Sequence, residues 1–436
     1  MGRSVVITGL GVVSAYGLGM DALWEGLCSG TSALSRIESF DAGGFPAKLG
    51  GEAPGVRARD CVPKSYRKAV KVMARDTEIA VVAASLAVED AALVTRVAQN
   101  GPTTYPGERL GCHIGAGLIS AETQELTQAL VTARDSEDQT KVDWRVWGES
   151  GMNNLPPLWL LKYLPNMPAC HVTILHGAEG PSNTITCSEA SGLLSIGESA
   201  RVIERGAADA CFSGGAESRI NNMGLIRMHL AGWLAETGDE TDGGRVVRPY
   251  DPDSAGGLLG EGGGIVILEE KTQAVARGAR IYAEISGFGA GQSDPACGEE
   301  VDLGLLGAIE SALGDAGVVP GEIDAIVPRA LGSPAEDALE ARVLAAVFGA
   351  ALERIPLVTI VPNIGNCLAG AGSLAAAVGA RCLHEQKLPA RIHAGTPGFG
   401  LIAGSCAPRG ATLRRVLVCT SALGGQNAAV VLGSVS

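Results

Sequence analysis

Residues 180–198 constrain the fold of this chain more than any other segment. They read Gly180-Pro181-Ser182-Asn183-Thr184-Ile185-Thr186-Cys187-Ser188-Glu189-Ala190-Ser191-Gly192, then Leu193-Leu194-Ser195-Ile196-Gly197-Glu198. The pattern predicts a strand over 183–187 that turns without a linker into a helix over 189–204. Such a junction gathers the unsatisfied N–H groups of the first helical turn at one point, where they favour negative charge.

The rest of the chain repeats this alternation. Its 61 glycines mostly punctuate short Val/Ile/Leu runs, and 46% of its 436 residues are hydrophobic, which favours an α/β protein over disorder. Expected strands are 4–10, 110–116, 183–187, 208–214, 264–269, 281–288, 323–327, 357–360 and 415–420, mostly parallel. Expected helices are 20–28, 65–93, 189–204, 303–316, 335–348, 369–384 and a very short 409–413. Aromatic residues make up only 4%, so the core is expected to be aliphatic and alanine-packed. A Glu269-Glu270-Lys271 charge run ends the first half, and 270–280 reads as the link to the second. Residues 95–108 and 134–156, rich in turn formers, are expected to cover a site or a subunit edge.

No apolar run is long enough to cross a bilayer, so a cytoplasmic protein is expected, without a signal peptide. Eleven cysteines, an odd number without CxxC pairs, read as reduced thiols, with Cys170, Cys211 and Cys419 inside apolar strand-like runs. No His/Cys cluster has metal spacing, and neither metal nor cofactor is expected. A net charge of −13 argues against a nucleic-acid partner. Lys64, Arg67, Lys68, Lys71 and Arg75 form a local basic exception, readable as a docking face or as a solvated helix side balanced by nearby acids.

The junction at 180–198 resembles the nucleophile elbow of the condensing enzymes, the β-ketoacyl synthases of the thiolase superfamily. The likeness extends through Val5–Ser14, Ser39-Phe40-Asp41 with Gly44-Phe45-Pro46, Gly214-Gly215-Ala216-Glu217, Arg248-Pro249-Tyr250-Asp251, Gly260–Gly264 and Gly424-Gly425-Gln426-Asn427. It implies a thiolase-like α/β fold of five layers, αβαβα, built from two pseudo-repeated halves. These are residues 1–270, carrying the elbow helix, and residues 281–436.

The resemblance also locates the catalytic positions, and each is substituted. Glu189 stands where the family has its cysteine, and Cys187 lies two residues too early to replace it. Ser333-Pro334, Asp337 and Glu340 set a register that puts Arg329 at the first histidine. Asn366 stands at the second, and Val361 at the family lysine. In the oxyanion and gate turn, Ser421-Ala422-Leu423-Gly424-Gly425, Leu423 replaces the family aromatic beside Gly424, and Glu189 supplies the other backbone donor. The chain's own histidines, His113, His171, His176, His229, His384 and His393, fall outside these slots and read as core or edge residues.

A buried carboxylate needs partners, so Glu189 is expected to bond to Arg329, Asn366 or both, as an ionic plug. The resemblance then implies a non-condensing homologue, similar to the chain-length-factor subunits that pair with a catalytic ketosynthase in fatty-acid or polyketide synthesis. Those subunits usually carry Gln at the elbow, so Glu189 is a departure. The alternative is a divergent thiolase-like enzyme with Glu189 as general base on an acyl thioester. Expected partners are a catalytic ketosynthase or a second copy, meeting at 183–187 and 155–170, and an acyl carrier protein docking at Lys64, Arg67 and Lys68.

Overall fold

The computed structural model describes residues 2–98, 101–294 and 300–435; residues 99–100 of the expected 95–108 loop lie outside them. The main strands are β1 (Val5–Ser14), β2 (Leu110–Gly115), β3 (Ser182–Ile185), β4 (Ala210–Glu217), β5 (Gly262–Glu270), β6 (Ala283–Gln292), β7 (Ala325–Val327), β8 (Arg415–Ser421) and β9 (Gln426–Gly433). They form one mixed sheet in the order β7-β8-β9-β6-β1-β5-β4-β2-β3. Strand β1 joins the two halves: β5 pairs along most of its length, while β6 pairs only with Val5–Ile7.

Six helices matter for the site: α1 (Arg75–Asp90), α2 (Met167–His176), α3 (Ser191–Glu204), α4 (Leu303–Ala316), α5 (Pro334–Phe348) and α6 (Ala371–Glu385). Alternation along the strands sorts them into layers. Val266 and Leu268 of β5 pack with α3 and α6, while Ile265 and Ile267 face α1. In the other half, Val430 and Leu432 of β9 share the core of α3 and α6, and Ala429 and Val431 face α4 and α5. The result is helix, sheet, helices, sheet, helix, with α3 and α6 in the middle.

Several expectations need correction. The sheet is not mostly parallel: β4, β2 and β3 run parallel, as do β7 and β8, but the pairs from β8 through β9, β6, β1 and β5 to β4 are antiparallel. The final glycine turn closes a tight hairpin, and β9 was not anticipated as a strand. The helix expected over 65–93 starts at Arg75; before it lie 3₁₀ turns at Lys64–Tyr66 and Ala69–Val72. Residues 357–360 make isolated bridges at most, and Arg409–Gly410 is a two-residue strand paired with Lys387–Leu388 rather than a helix. Cys170, His171 and the Val-Thr-Ile-Leu run lie on α2, not on a strand.

Close approach of backbones holds the layers together. A Cβ on Gly11 of β1 would lie 1.8 Å from the Ala83 carbonyl oxygen and 2.5 Å from the Ala87 nitrogen, so α1 seats directly on the strand. Both obstacles are backbone, which cannot rotate away. Gly11→Ala should therefore destabilise the fold by about 1–3 kcal/mol, the usual range for overpacking. It would be read as a lower urea midpoint; an unchanged midpoint would mean that α1 retreats freely.

Candidate functional site

The elbow forms where expected, but its strand stops two residues short of 187 and its α-helix starts two residues after 189, with a 3₁₀ turn between. Strand β3 ends at Ile185, a single 3₁₀ turn spans Ser188–Ala190, and α3 begins at Ser191. The turn is tight enough to put Ser188 at φ +47°, a left-handed conformation that costs a non-glycine residue free energy. Ala330 (φ +48°) and Leu368 (φ +47°) share this strain, so it flanks all three positions singled out from the sequence. The half-buried Cys187 has its thiol pKa raised by burial, which is the opposite of an activated nucleophile.

Glu189 is completely buried, and its Oε1 accepts a hydrogen bond from Asn366 Nδ2 at 2.9 Å. The Asn366 Oδ1 in turn accepts from the Leu368 N–H at 2.9 Å, which fixes the amide orientation. Glu189 Oε2 is buried without a protein partner. The expected Glu189–Asn366 bond is present.

The expected Glu189–Arg329 bond is not. Arg329 turns to acids nearer in sequence: Nη2 pairs with Glu336 Oε2 at 2.7 Å, and Nη1 donates to the Ser421 carbonyl at 3.1 Å. Its guanidinium also lies over the Trp233 ring, 5.5 Å from the centroid. Burial works against the Arg329 charge, but Glu336, then Glu340 and Glu189, outweigh it and hold the pKa above its ordinary value. Glu189 is thus an electrostatic neighbour of Arg329 and not its ligand.

Four further carboxyl groups belong to the site, and sequence reasoning gave none of them a partner. Glu336 is the Arg329 partner. Glu340 braces the Arg329 backbone, accepting from the Arg329 and Ala330 N–H groups at 2.9 Å each and from the Tyr250 hydroxyl at 2.8 Å. Glu217, at the end of β4, accepts from the Ala369 N–H at 2.9 Å and pairs with Arg219. Burial raises the Glu217 pKa, Arg219 and the Ala369 N–H oppose it, and Glu189 adds to it. Asp337 is pushed up to about 7, chiefly by burial, and accepts N–H bonds from Tyr250 and Gly332. The available signals were the Gly-Gly-Ala-Glu strand end and the rule that a buried arginine needs acids close by.

Space is scarce around these groups. A void of about 20 Å³, lined by Arg329, Val361, Asn366, Cys419 and Thr420 among others, lies beside the plug. A cavity of about 90 Å³ opens between Arg329, Glu336, Ser421 and the exposed Leu423. Four of the histidines make hydrogen bonds elsewhere: His113 with Ser199, His171 through Nδ1 with Tyr66 (its Nε2 is buried without a partner), His176 with Thr95 and His393 with the Pro249 carbonyl. His384 packs on Tyr282, and His229 is exposed. Among the described residues no group of three His, Cys, Asp or Glu is placed to hold a metal ion.

Two predictions test this geometry. Asn366→Ala should cost about 1.5–3 kcal/mol, because it removes the donor from a buried carboxyl. In double-mutant cycles on denaturant stability, Arg329 should couple to Glu336 by about 1–3 kcal/mol and measurably less to Glu189. Equal coupling would mean that Arg329 divides itself between the two acids.

Comparison with known proteins places this geometry. The model of the β-ketoacyl synthase N-terminal domain matches residues 2–274, and that of the C-terminal domain matches residues 282–395. The 3-oxoacyl-[acyl-carrier-protein] synthase 2 of Vibrio cholerae is 31% identical over 406 residues, covering 92% of this chain and 90% of that protein. The protein of the same name from Staphylococcus aureus (strain COL) is 29% identical over 397 residues, covering 91% and 89%. Among solved structures, the ishigamide ketosynthase/chain length factor superimposes over 100% of both chains with a TM-score of 0.82 and 28% identity. A β-ketoacyl synthase from Burkholderia phymatum STM815 shares the fold with a TM-score of 0.83 over 100% of both chains, at 24% identity. With both family models matched in order along most of its length, the chain belongs to the β-ketoacyl synthase family.

Proposed function

We propose that this chain is a non-condensing member of the family, a chain-length-factor-like subunit that pairs with a catalytic ketosynthase. The observation that carries the reading is the buried Glu189–Asn366 pair at the elbow. Condensation requires a nucleophile that holds the acyl group as a thioester. A glutamate cannot hold a thioester, Cys187 is not activated, and no histidine reaches the site. The adjoining void of about 20 Å³ is the size of one water molecule and cannot take an acyl chain. The likeness to the ishigamide ketosynthase/chain length factor supports the same reading, whereas the curated relatives carry the names of condensing enzymes.

The surface is suited to a partner. Strand β3 ends the sheet, and its Ser182 and Asn183 are exposed. Before helix α2, Leu158 and Leu160 are 70% and 58% exposed, apolar surface that a subunit contact would cover. Lys64, Arg67 and Lys68 are exposed on the 3₁₀ turns before α1 and form no ion pair among the described residues, which leaves them for an acidic carrier protein. No helix of the described residues is long and apolar enough to cross a membrane.

A second reading keeps one observation in its favour. The unpartnered Glu189 Oε2 leaves one carboxyl oxygen available as a general base on an acyl thioester. One experiment separates the two. The purified chain, given malonyl and acyl carrier substrates, should release no carbon dioxide and form no β-ketoacyl product. Added to a cognate ketosynthase, it should assemble at equal stoichiometry. Turnover by the chain alone, abolished in Glu189→Ala, would establish the general-base reading instead.

A further inference from the structure

A cavity of about 780 Å³ lies outside the elbow, between the 33–54 segment, the start of α1, residues 120–124 and the end of β4. Its volume is within the usual range of roughly 300–1,000 Å³ for small-molecule sites. Five carboxyl groups and a single guanidinium line it, and most of these are already engaged. Glu261 takes the Arg75 guanidinium, the Ala53 N–H and the Ser218 hydroxyl. Glu52 accepts the N–H groups of Glu38 and Ser39, and Glu122 pairs with Lys162.

Asp76 differs. It is only 3% exposed, it lines the cavity, and among the described residues it has no ion-pair partner. Its carboxyl takes only backbone hydrogen bonds, from the Ser218 N–H to Oδ1 at 3.2 Å and from its own N–H. The rings of Phe40 and Tyr163 add aromatic lining, and Ala15, Ala53 and Ile220 add apolar lining. A buried carboxyl without a counter-ion, in an acidic cavity with aromatic walls, selects for positive charge on a small apolar body.

We infer that this cavity binds a small organic cation, a primary ammonium on a short apolar chain, with Asp76 as its counter-ion. The inference does not depend on the role of Glu189. Binding should also depend on pH. Burial, with a contribution from Glu217, pushes the Asp76 carboxyl up to about 7, and the Ser218 N–H and Arg219 oppose the shift. Of the other charged groups lining the cavity, Arg75 pairs with Glu261 and Glu122 with Lys162, which leaves Glu38 and Glu52 to add negative charge. Below pH 7 the carboxyl holds a proton that the ammonium must displace, so affinity should fall about tenfold per pH unit there.

Calorimetric titration of the intact chain with hexylamine tests this, with 1-hexanol and hexanoate as matched probes. Hexylamine should bind at pH 8, with affinity about tenfold weaker at pH 6, and the alcohol and the acid should bind far more weakly. The isosteric Asp76→Asn should abolish the preference for the amine and its pH dependence. Ser39→Trp, placed on the exposed rim to fill the cavity while leaving Asp76 in place, should block hexylamine as well. If hexylamine and hexanol bind alike, if Asp76→Asn keeps the amine preference, or if no probe binds into the millimolar range, the inference is wrong.

Discussion

The arrangement of the site depends on how closely two buried helices begin. A Cβ on Gly192, in the first turn of α3, would stand 2.8 Å from the Ala369 carbonyl oxygen and 3.0 Å from the Ser373 nitrogen. A Cβ on Gly215 of β4 would stand 2.2 Å from the same Ala369 oxygen. Backbone therefore packs on backbone where the two halves meet, and no side chain separates the segment around Asn366 from the elbow. Asn366 reaches Glu189, and Glu217 reaches the Ala369 N–H, because this contact leaves them no other place to point.

Such closeness makes buried charge tolerable. Moving a carboxyl from water into a protein interior costs several kcal/mol unless polar groups replace its hydration shell. Here the replacements are largely backbone N–H groups of the strained turns: Arg329 and Ala330 for Glu340, Gly332 and Tyr250 for Asp337, Ala369 for Glu217. The left-handed residues Ser188, Ala330 and Leu368 are the cost of aiming those groups inward. Glu189 receives less than its neighbours, a single side-chain amide.

Much of this architecture was legible in the sequence where the signal was local. The elbow, α4 and α5 appeared where expected because each combines a turn or cap with a sustained apolar period. Helix α2 was misread because Val172, Thr173 and Ile174 are strand-favouring residues, and tertiary packing of Ala169, Val172 and Leu175 against α1 overrode that preference. The expected 65–93 helix was too long because the charge spacing of Lys64 to Lys71 suits one helical face, whereas the backbone there turns twice as 3₁₀. At the site, the positions of Glu189, Arg329 and Asn366 could be read, but the pairing of Arg329 could not. Glu336 lies only seven residues on, in the first turn of α5, and captures the guanidinium before it can cross to the other half.

The open edge of the sheet reaches beyond the question of chemistry. Strand β3, at the end of the sheet, leaves one row of peptide groups unpaired, and a row of that kind accepts any extended chain that meets it. Under the proposed pairing, a copy synthesised without its partner would present to chaperones and proteases an open strand edge, a feature by which unfinished proteins are known, and its lifetime would be set by how soon that edge is covered.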